Sequence, residues 1–262
     1  MGRTTREDSS FQSVGRERRR RSNCTREREG RGFSRKPVNA RWFMRREIMV
    51  KEGYWYGLPL VLAGGVALGF GLYWPGKFFL FAAAVIFIFA LLVLNFFRDP
   101  DRIIPTGRGV VVSPADGRVV EVREESEGGL PRQRVSIFMS PLNVHVNRSP
   151  VAGTIQNVTY RKGSFRMASE PLASVENEQN VFTVGGEEDE IIVKQIAGVL
   201  ARRIVFWKKP GDRIERGERV GLIKFGSRVD ILVSPDVSLC VQVGHRVWAG
   251  SSVIGISRTR TI

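Results

Sequence analysis

Metal centres and disulfide frameworks are built from residues that this sequence barely has: two cysteines, Cys24 and Cys240, and two histidines, His145 and His245, among 262 residues. The cysteines lie far apart in unlike contexts, so their spacing specifies neither a disulfide framework nor a zinc site, and no metal is expected. Acidic residues are also scarce, 26 against 41 lysines and arginines for a net charge of +15. The imbalance is local. Residues 1–51 hold sixteen basic against six acidic residues, which accounts for about +10 of the excess. The remainder is only mildly basic and does not interleave cations with aromatics, as a nucleic-acid surface would, so no nucleic-acid partner is expected. Long helical periodicity is missing after residue 100, which excludes a helical bundle for the larger part of the chain.

Residues 1–50 are mostly Arg, Ser, Glu and Gly, including the run Arg18-Arg19-Arg20-Arg21. Such a composition cannot bury enough apolar surface to fold, and it reads as a basic, disordered tail, or as residues ahead of a start at Met44 or Met49. The chain then turns apolar from Tyr54 to Trp74 and from Phe78 to Phe97, with Lys77 the one charge inside or between the runs. Each run has about the twenty residues needed to cross a bilayer. Pro75-Gly76-Lys77 leaves room only for a tight turn, so residues 51–98 are expected to form a transmembrane helical hairpin with Trp55, Tyr56, Tyr73 and Trp74 at its interfaces. The alternative is a helical pair buried in a soluble protein. Basic residues before the first run and Arg98 and Arg102 after the second place both flanks on the cytoplasmic side of the cell's inner membrane.

From residue 99 the texture becomes short β-branched runs broken by Gly, Pro and Asp, among them Gly109–Val112, Arg118–Val122, Val135–Met139, Gly153–Tyr160, Ile191–Ile196, Ile204–Trp207, Arg219–Phe225 and Val229–Val233. This predicts a mainly β fold for residues 99–262, a β-rich barrel or sandwich. Two stretches within it repeat: Pro210-Gly211-Asp212-Arg213-Ile214 through Gly217 is echoed by Val243-Gly244-His245-Arg246-Val247 through Gly250. The pattern is similar to the hammerhead turns of lipoyl and biotinyl carrier domains. A membrane-anchored carrier or adaptor module is therefore the alternative function, although no lysine stands at a hairpin tip to carry the modification.

Between two strand-like runs lies Lys224-Phe225-Gly226-Ser227-Arg228. Glycine has no Cβ and accepts strained backbone geometry, so the Gly226-Ser227 bond is the least hindered kind at which a serine hydroxyl can attack the preceding carbonyl. The N→O shift gives an ester, β-elimination cuts the chain and leaves dehydroalanine, and hydrolysis of that end yields a pyruvoyl group and ammonia. Most Gly-Ser pairs are ordinary turns. Activating the hydroxyl also needs a base and a carboxylate to orient it. His145, in Ser140-Pro141-Leu142-Asn143-Val144-His145, and Asp116, in Ser113-Pro114-Ala115-Asp116-Gly117, are the candidates. His145 alone would ordinarily be structural and Asp116 a turn former.

In this order, the double apolar run, Phe97-Arg98-Asp99-Pro100, Pro114-Ala115-Asp116-Gly117, the stretch around His145, Glu176-Asn177-Glu178 and Phe225-Gly226-Ser227-Arg228 resemble the short, membrane-anchored bacterial phosphatidylserine decarboxylase proenzymes, to which archaetidylserine enzymes are close. The resemblance implies cleavage between Gly226 and Ser227 into a β chain (1–226) and an α chain (227–262) that stay together. It implies that Ser227 becomes a pyruvoyl cofactor forming a Schiff base with phosphatidylserine, with Asp116 and His145 as its catalytic partners. His145 is expected to reprotonate the substrate's Cα, a task for a group titrating near neutrality. Longer relatives carry Leu-Gly-Ser-Thr at the scissile site and a second histidine where this chain has Arg148, so His145 serves alone.

Overall fold

The structure, a computed structural model, describes residues 49–74, 77–166, 173–198, 203–224 and 227–257. The tail and the scissile Gly226 lie outside the described residues. Helices α1 (Lys51–Tyr73) and α2 (Lys77–Phe96) come first. They pack along a seam of small residues on α1, where Gly57, Gly64 and Gly71 are buried against Leu94, Phe87 and Leu80. A Cβ at Gly64 would meet the Phe87 ring at 2.9 Å, so the glycines set how closely the helices approach. The rest of the pair faces outward: Trp55 is 80% exposed, Leu62 65% and Leu91 70%. Both helices are long and apolar enough to cross a membrane, and that exposure is the opposite of a buried pair in a soluble core.

The rest of the chain is mainly β, as its composition predicts. Strands β1 (Val110–Val112), β2 (Gly117–Glu127), β3 (Leu130–Met139), β4 (Val146–Arg148) and β5 (Gly153–Arg161) precede a one-turn helix, α3 (Ala173–Glu176). Then follow β6 (Gln179–Gly186), β7 (Glu190–Ala197), β8 (Ile204–Phe206), β9 (Arg213–Ile214), β10 (Arg219–Ile223), β11 (Ser227–Val233), β12 (Val237–Leu239), β13 (Arg246–Val247) and β14 (Val253–Ser257). Eight form one curled sheet in the order β13-β2-β3-β11-β7-β6-β5-β9, with small sheets β1-β14-β12 and β4-β10-β8 beside it. Every named strand pairing is antiparallel.

Strand β11 lies in the middle of the large sheet and is buried along its whole length. Alternation gives it two different faces. Val229, Ile231 and Val233 enter the main core with Ile137, Phe182 and Val193, each such side chain contributing roughly 1.5–3 kcal/mol by leaving water. Arg228 and Asp230 point the other way. There Arg228 donates to Asp230 at 2.7 Å, Glu121 at 2.7 Å and Ser136 Oγ at 2.6 Å, which is how a fully buried guanidinium is tolerated in a central strand.

The sequence repeat is architectural. Gly211 and Gly244 adopt φ of 93° and 92°, and Gly217 and Gly250 adopt 76° and 74°, so the same left-handed turns recur before β9 and β13 and before β10 and β14. Ile104 packs against both Gly217 and Gly250, so the segment after the hairpin runs between the repeats.

Candidate active site

Ser227 opens β11 opposite Met139 of β3 and Ala197 of β7, fully buried. Its hydroxyl donates to Met139 Sδ at 3.3 Å. A thioether is a weak acceptor, and among the described residues no donor reaches the oxygen's lone pairs. A second donor, Asn147 Nδ2, approaches the same sulfur at 3.8 Å. Behind it runs a buried chain of amides: Gln195 Nε2 donates to Asn147 Oδ1 at 2.8 Å, and Asn180 Nδ2 to Gln195 Oε1 at 2.9 Å. Asn177 donates to the carbonyl of Ala197 at 2.7 Å and exchanges two bonds with the Arg166 backbone, fixing the end of β7 next to Ser227.

His145 leads into β4, and its carbonyl accepts from Ile223 N of β10 at 3.4 Å. The turn Ser140–Asn143 is closed by Asn143 N on the Ser140 carbonyl and by Ser140 N and Oγ on Asn143 Oδ1, both 2.8 Å. This aims the Asn143 carbonyl at His145 Nδ1, 2.9 Å away. A carbonyl can only accept, so Nδ1 carries the proton and Nε2 the lone pair. Among the described residues, Nε2 is buried without a hydrogen-bond partner. The ring stacks on Phe96 of α2, centroids 4.1 Å apart. Burial pushes the His145 pKa down to about 4; the Asn143 bond opposes the shift and the nearby charge of Arg98 adds to it. At physiological pH the His145 imidazole is therefore neutral.

Asp116 stands just before β2 with its carboxylate fully engaged, Oδ2 accepting from Arg102 at 2.8 Å and Oδ1 from the Ala249 N–H at 2.7 Å. Ser227, His145 and Asp116 thus surround one short strand without forming a hydrogen-bonded triad. β4 is their common neighbour: Arg148 N bonds the Pro114 carbonyl, Val146 pairs with Leu222, and Asn147 reaches the sulfur that receives the Ser227 hydroxyl. Arg148 itself is structural. It donates to Asp99 Oδ1 at 2.6 Å and to the Gly217 carbonyl at 3.0 Å, and Asp99 also pairs with Arg219. Phe97-Arg98-Asp99-Pro100 is thereby the clasp between the hairpin and the β domain.

Sequence reasoning missed Phe96, Asn147, Asn180 and Gln195. A signal existed for the last two: each is polar at a position whose neighbours two residues away, Phe182 and Val193, face the core.

A buried serine that follows glycine, a buried neutral imidazole and an apolar helical pair, long enough to cross a membrane and packed on that imidazole, lie around one short strand. The family model described as phosphatidylserine decarboxylase matches residues 89–255, and the chain belongs to that family. It is 53% identical over 206 residues to a phosphatidylserine decarboxylase proenzyme of Solibacter usitatus, covering 79% of this chain and 95% of the relative. A proenzyme of the same name from Symbiobacterium thermophilum is 44% identical over 218 residues (81% and 97%), and one from Carboxydothermus hydrogenoformans 40% over 214 (79% and 96%).

Proposed function

We propose that this chain cuts itself between Gly226 and Ser227 and then decarboxylates phosphatidylserine to phosphatidylethanolamine and CO2. The observation that carries the first step is the neutral, unpartnered Nε2 of buried His145, set beside the strand that leads to Ser227. His145 takes the Ser227 hydroxyl proton, and the oxygen attacks the Gly226 carbonyl. Asp116 is the supporting carboxylate. Its bonds to Arg102 and Ala249 N–H hold the loop before β2 against β4 and so act on His145 through the backbone.

A pyruvoyl end is no larger than the serine residue it replaces, so the space at the start of β11 accommodates it. The group supplies an electron sink for the pair left behind when CO2 departs. During turnover His145 Nε2 holds the proton in transit, accepting one as the substrate's ammonium is deprotonated and delivering it to Cα once CO2 has gone. The amide chain from Asn180 to Asn147 keeps the floor of the site rigid.

α1 and α2 anchor the enzyme in the inner membrane with the β domain on the cytoplasmic face, which brings a lipid headgroup to the site without extracting the lipid. Two inserted spans hold far more firmly than an adsorbed basic segment. High salt should leave the protein in the membrane fraction; release by salt would refute the two-span anchor.

Intact-mass spectrometry of the purified wild type tests the reading as a whole. Two associated chains are expected, the smaller beginning at position 227 with no free amine, and cyanoborohydride with phosphatidylserine should add the lipid's mass less one oxygen to it. An uncut wild-type chain would overturn the proposal.

A further inference from the structure

The proposed reaction accounts for the amine and carboxylate of phosphatidylserine but not for its phosphodiester, which carries a negative charge throughout. We propose that Lys224, held against Tyr56 at the foot of the hairpin, binds that phosphodiester. The inference rests on Ser227 being the reacting residue, which Lys224 precedes by three positions.

Around the site, cations are matched by carboxylates: Arg148 and Arg219 by Asp99, Arg102 by Asp116, Arg228 and Arg134 by Glu121 and Asp230. Arg98 and Lys224 break the pattern. Among the described residues neither forms an ion pair. Arg98 donates to the carbonyls of Asn95 at 2.6 Å and Leu142 at 2.7 Å, which orient the guanidinium without neutralising it. Lys224 is only 9% exposed; its Nζ lies 3.3 Å from the Tyr56 hydroxyl and 4.9 Å from the centroid of that ring. A cation–π contact and one neutral hydrogen bond offset only part of the cost of burying an ammonium, and two of its three donors remain for an anion.

The location fits a lipid phosphate. Tyr56 lies in the first turns of α1 and stacks on Phe97 at 5.6 Å, next to the Phe96 ring that covers His145. Tyrosines at the ends of membrane helices mark the headgroup level. Lys224 also follows directly on Ile223, whose N–H bonds the His145 carbonyl, so cation and base share one piece of backbone. Of the substrate's two anionic groups, the phosphodiester suits these cations better. An ammonium on the departing carboxylate would stabilise the state that must be lost, whereas one on the phosphodiester binds ground and transition states alike and so acts on KM.

The test uses the full-length Ser227→Ala chain in detergent, with glycerophosphoserine and inorganic phosphate as probes and calorimetry as the readout. Adding Lys224→Gln keeps a donor for Tyr56 but removes the charge, and should weaken glycerophosphoserine binding about ten- to hundredfold, the usual scale of a charged hydrogen bond. Lys224→Arg should restore most of it. Unchanged affinity in Lys224→Gln would overturn the proposal; inorganic phosphate binding as tightly as glycerophosphoserine would overturn the headgroup assignment in favour of a free-phosphate site. Should Lys224→Gln not fold, acetylation of the Ser227→Ala chain decides: glycerophosphoserine should protect Lys224, and absence of protection counts against the site. A wild-type chain that binds glycerophosphoserine through Lys224 yet releases no CO2 from phosphatidylserine would sink the decarboxylase reading alone. An active decarboxylase whose KM ignores Lys224→Gln would sink the phosphodiester site alone.

Discussion

Ser227→Ala is expected to yield a single uncut chain with no decarboxylase activity, a loss on the order of 10⁶-fold as for a catalytic serine nucleophile elsewhere. The structure makes this a chemical and not a stability effect. Among the described residues the hydroxyl's one hydrogen bond is to the Met139 sulfur at 3.3 Å, so removing it leaves no strong partner stranded, and alanine fits between Met139 and Ala197. The variant should therefore unfold at the wild-type temperature while remaining uncut. Ser227→Cys retains a nucleophile and is expected to cut slowly to the same pyruvoyl end. Ser227→Thr adds a methyl in a fully buried position and would give at best a bulkier 2-oxobutanoyl end with lower turnover. A Ser227→Ala chain that decarboxylates phosphatidylserine normally would remove Ser227 from the mechanism.

Much of this site is legible in the sequence because it lies in local chemistry. The apolar runs mark both helices, and β-branched runs mark most strands. Gly226-Ser227 and the surroundings of His145 stand out from residue type and order alone. What is not legible is which groups meet. Asp116 was expected to orient His145, yet its carboxylate is taken by Arg102 and Ala249, and the Asn143 carbonyl does the orienting from two residues away. Phe96 ends a helix that reads as an anchor, and nothing in its local pattern says that its ring will cover His145. β6 escapes notice because Asn180, Thr183, Gly185 and Gly186 dilute its apolar residues, although it pairs with β5 over its full length and with β7 up to Gly185. Strand β11 begins two residues earlier than its apolar run because Ser227 and Arg228 are satisfied by contacts with other strands.

His145→Ala should slow processing by about 10²- to 10⁴-fold at neutral pH, the range spanned by a positioned general base. The more discriminating result is the pH profile of the wild type. With the His145 pKa lowered from 6.5 to about 4, chiefly by burial, Nε2 keeps its lone pair well into acid. The rate constant for self-cleavage, followed by electrophoresis, should stay level from pH 7.5 to about 5 and fall only near 4. The same burial has a stability consequence, because the unfolded chain binds a proton below 6.5 that the folded chain refuses. A contribution on the order of 3 kcal/mol is fully present above pH 6.5 and is lost as pH falls toward 4. Phe96→Ala opens one face of the imidazole to water and should move the acid limb of cleavage up toward 6.5 while sparing the rate at pH 7.5 relative to that at 5.5. Arg98, whose charge acts on the ring, stays in place in that variant. Asp116→Asn should slow cleavage without moving the limb, since Asp116 does not touch the imidazole. An acid limb at 6.5 in the wild type would show that His145 is solvated when it acts, and a limb displaced by Asp116→Asn would show that the carboxylate turns to the imidazole during cleavage.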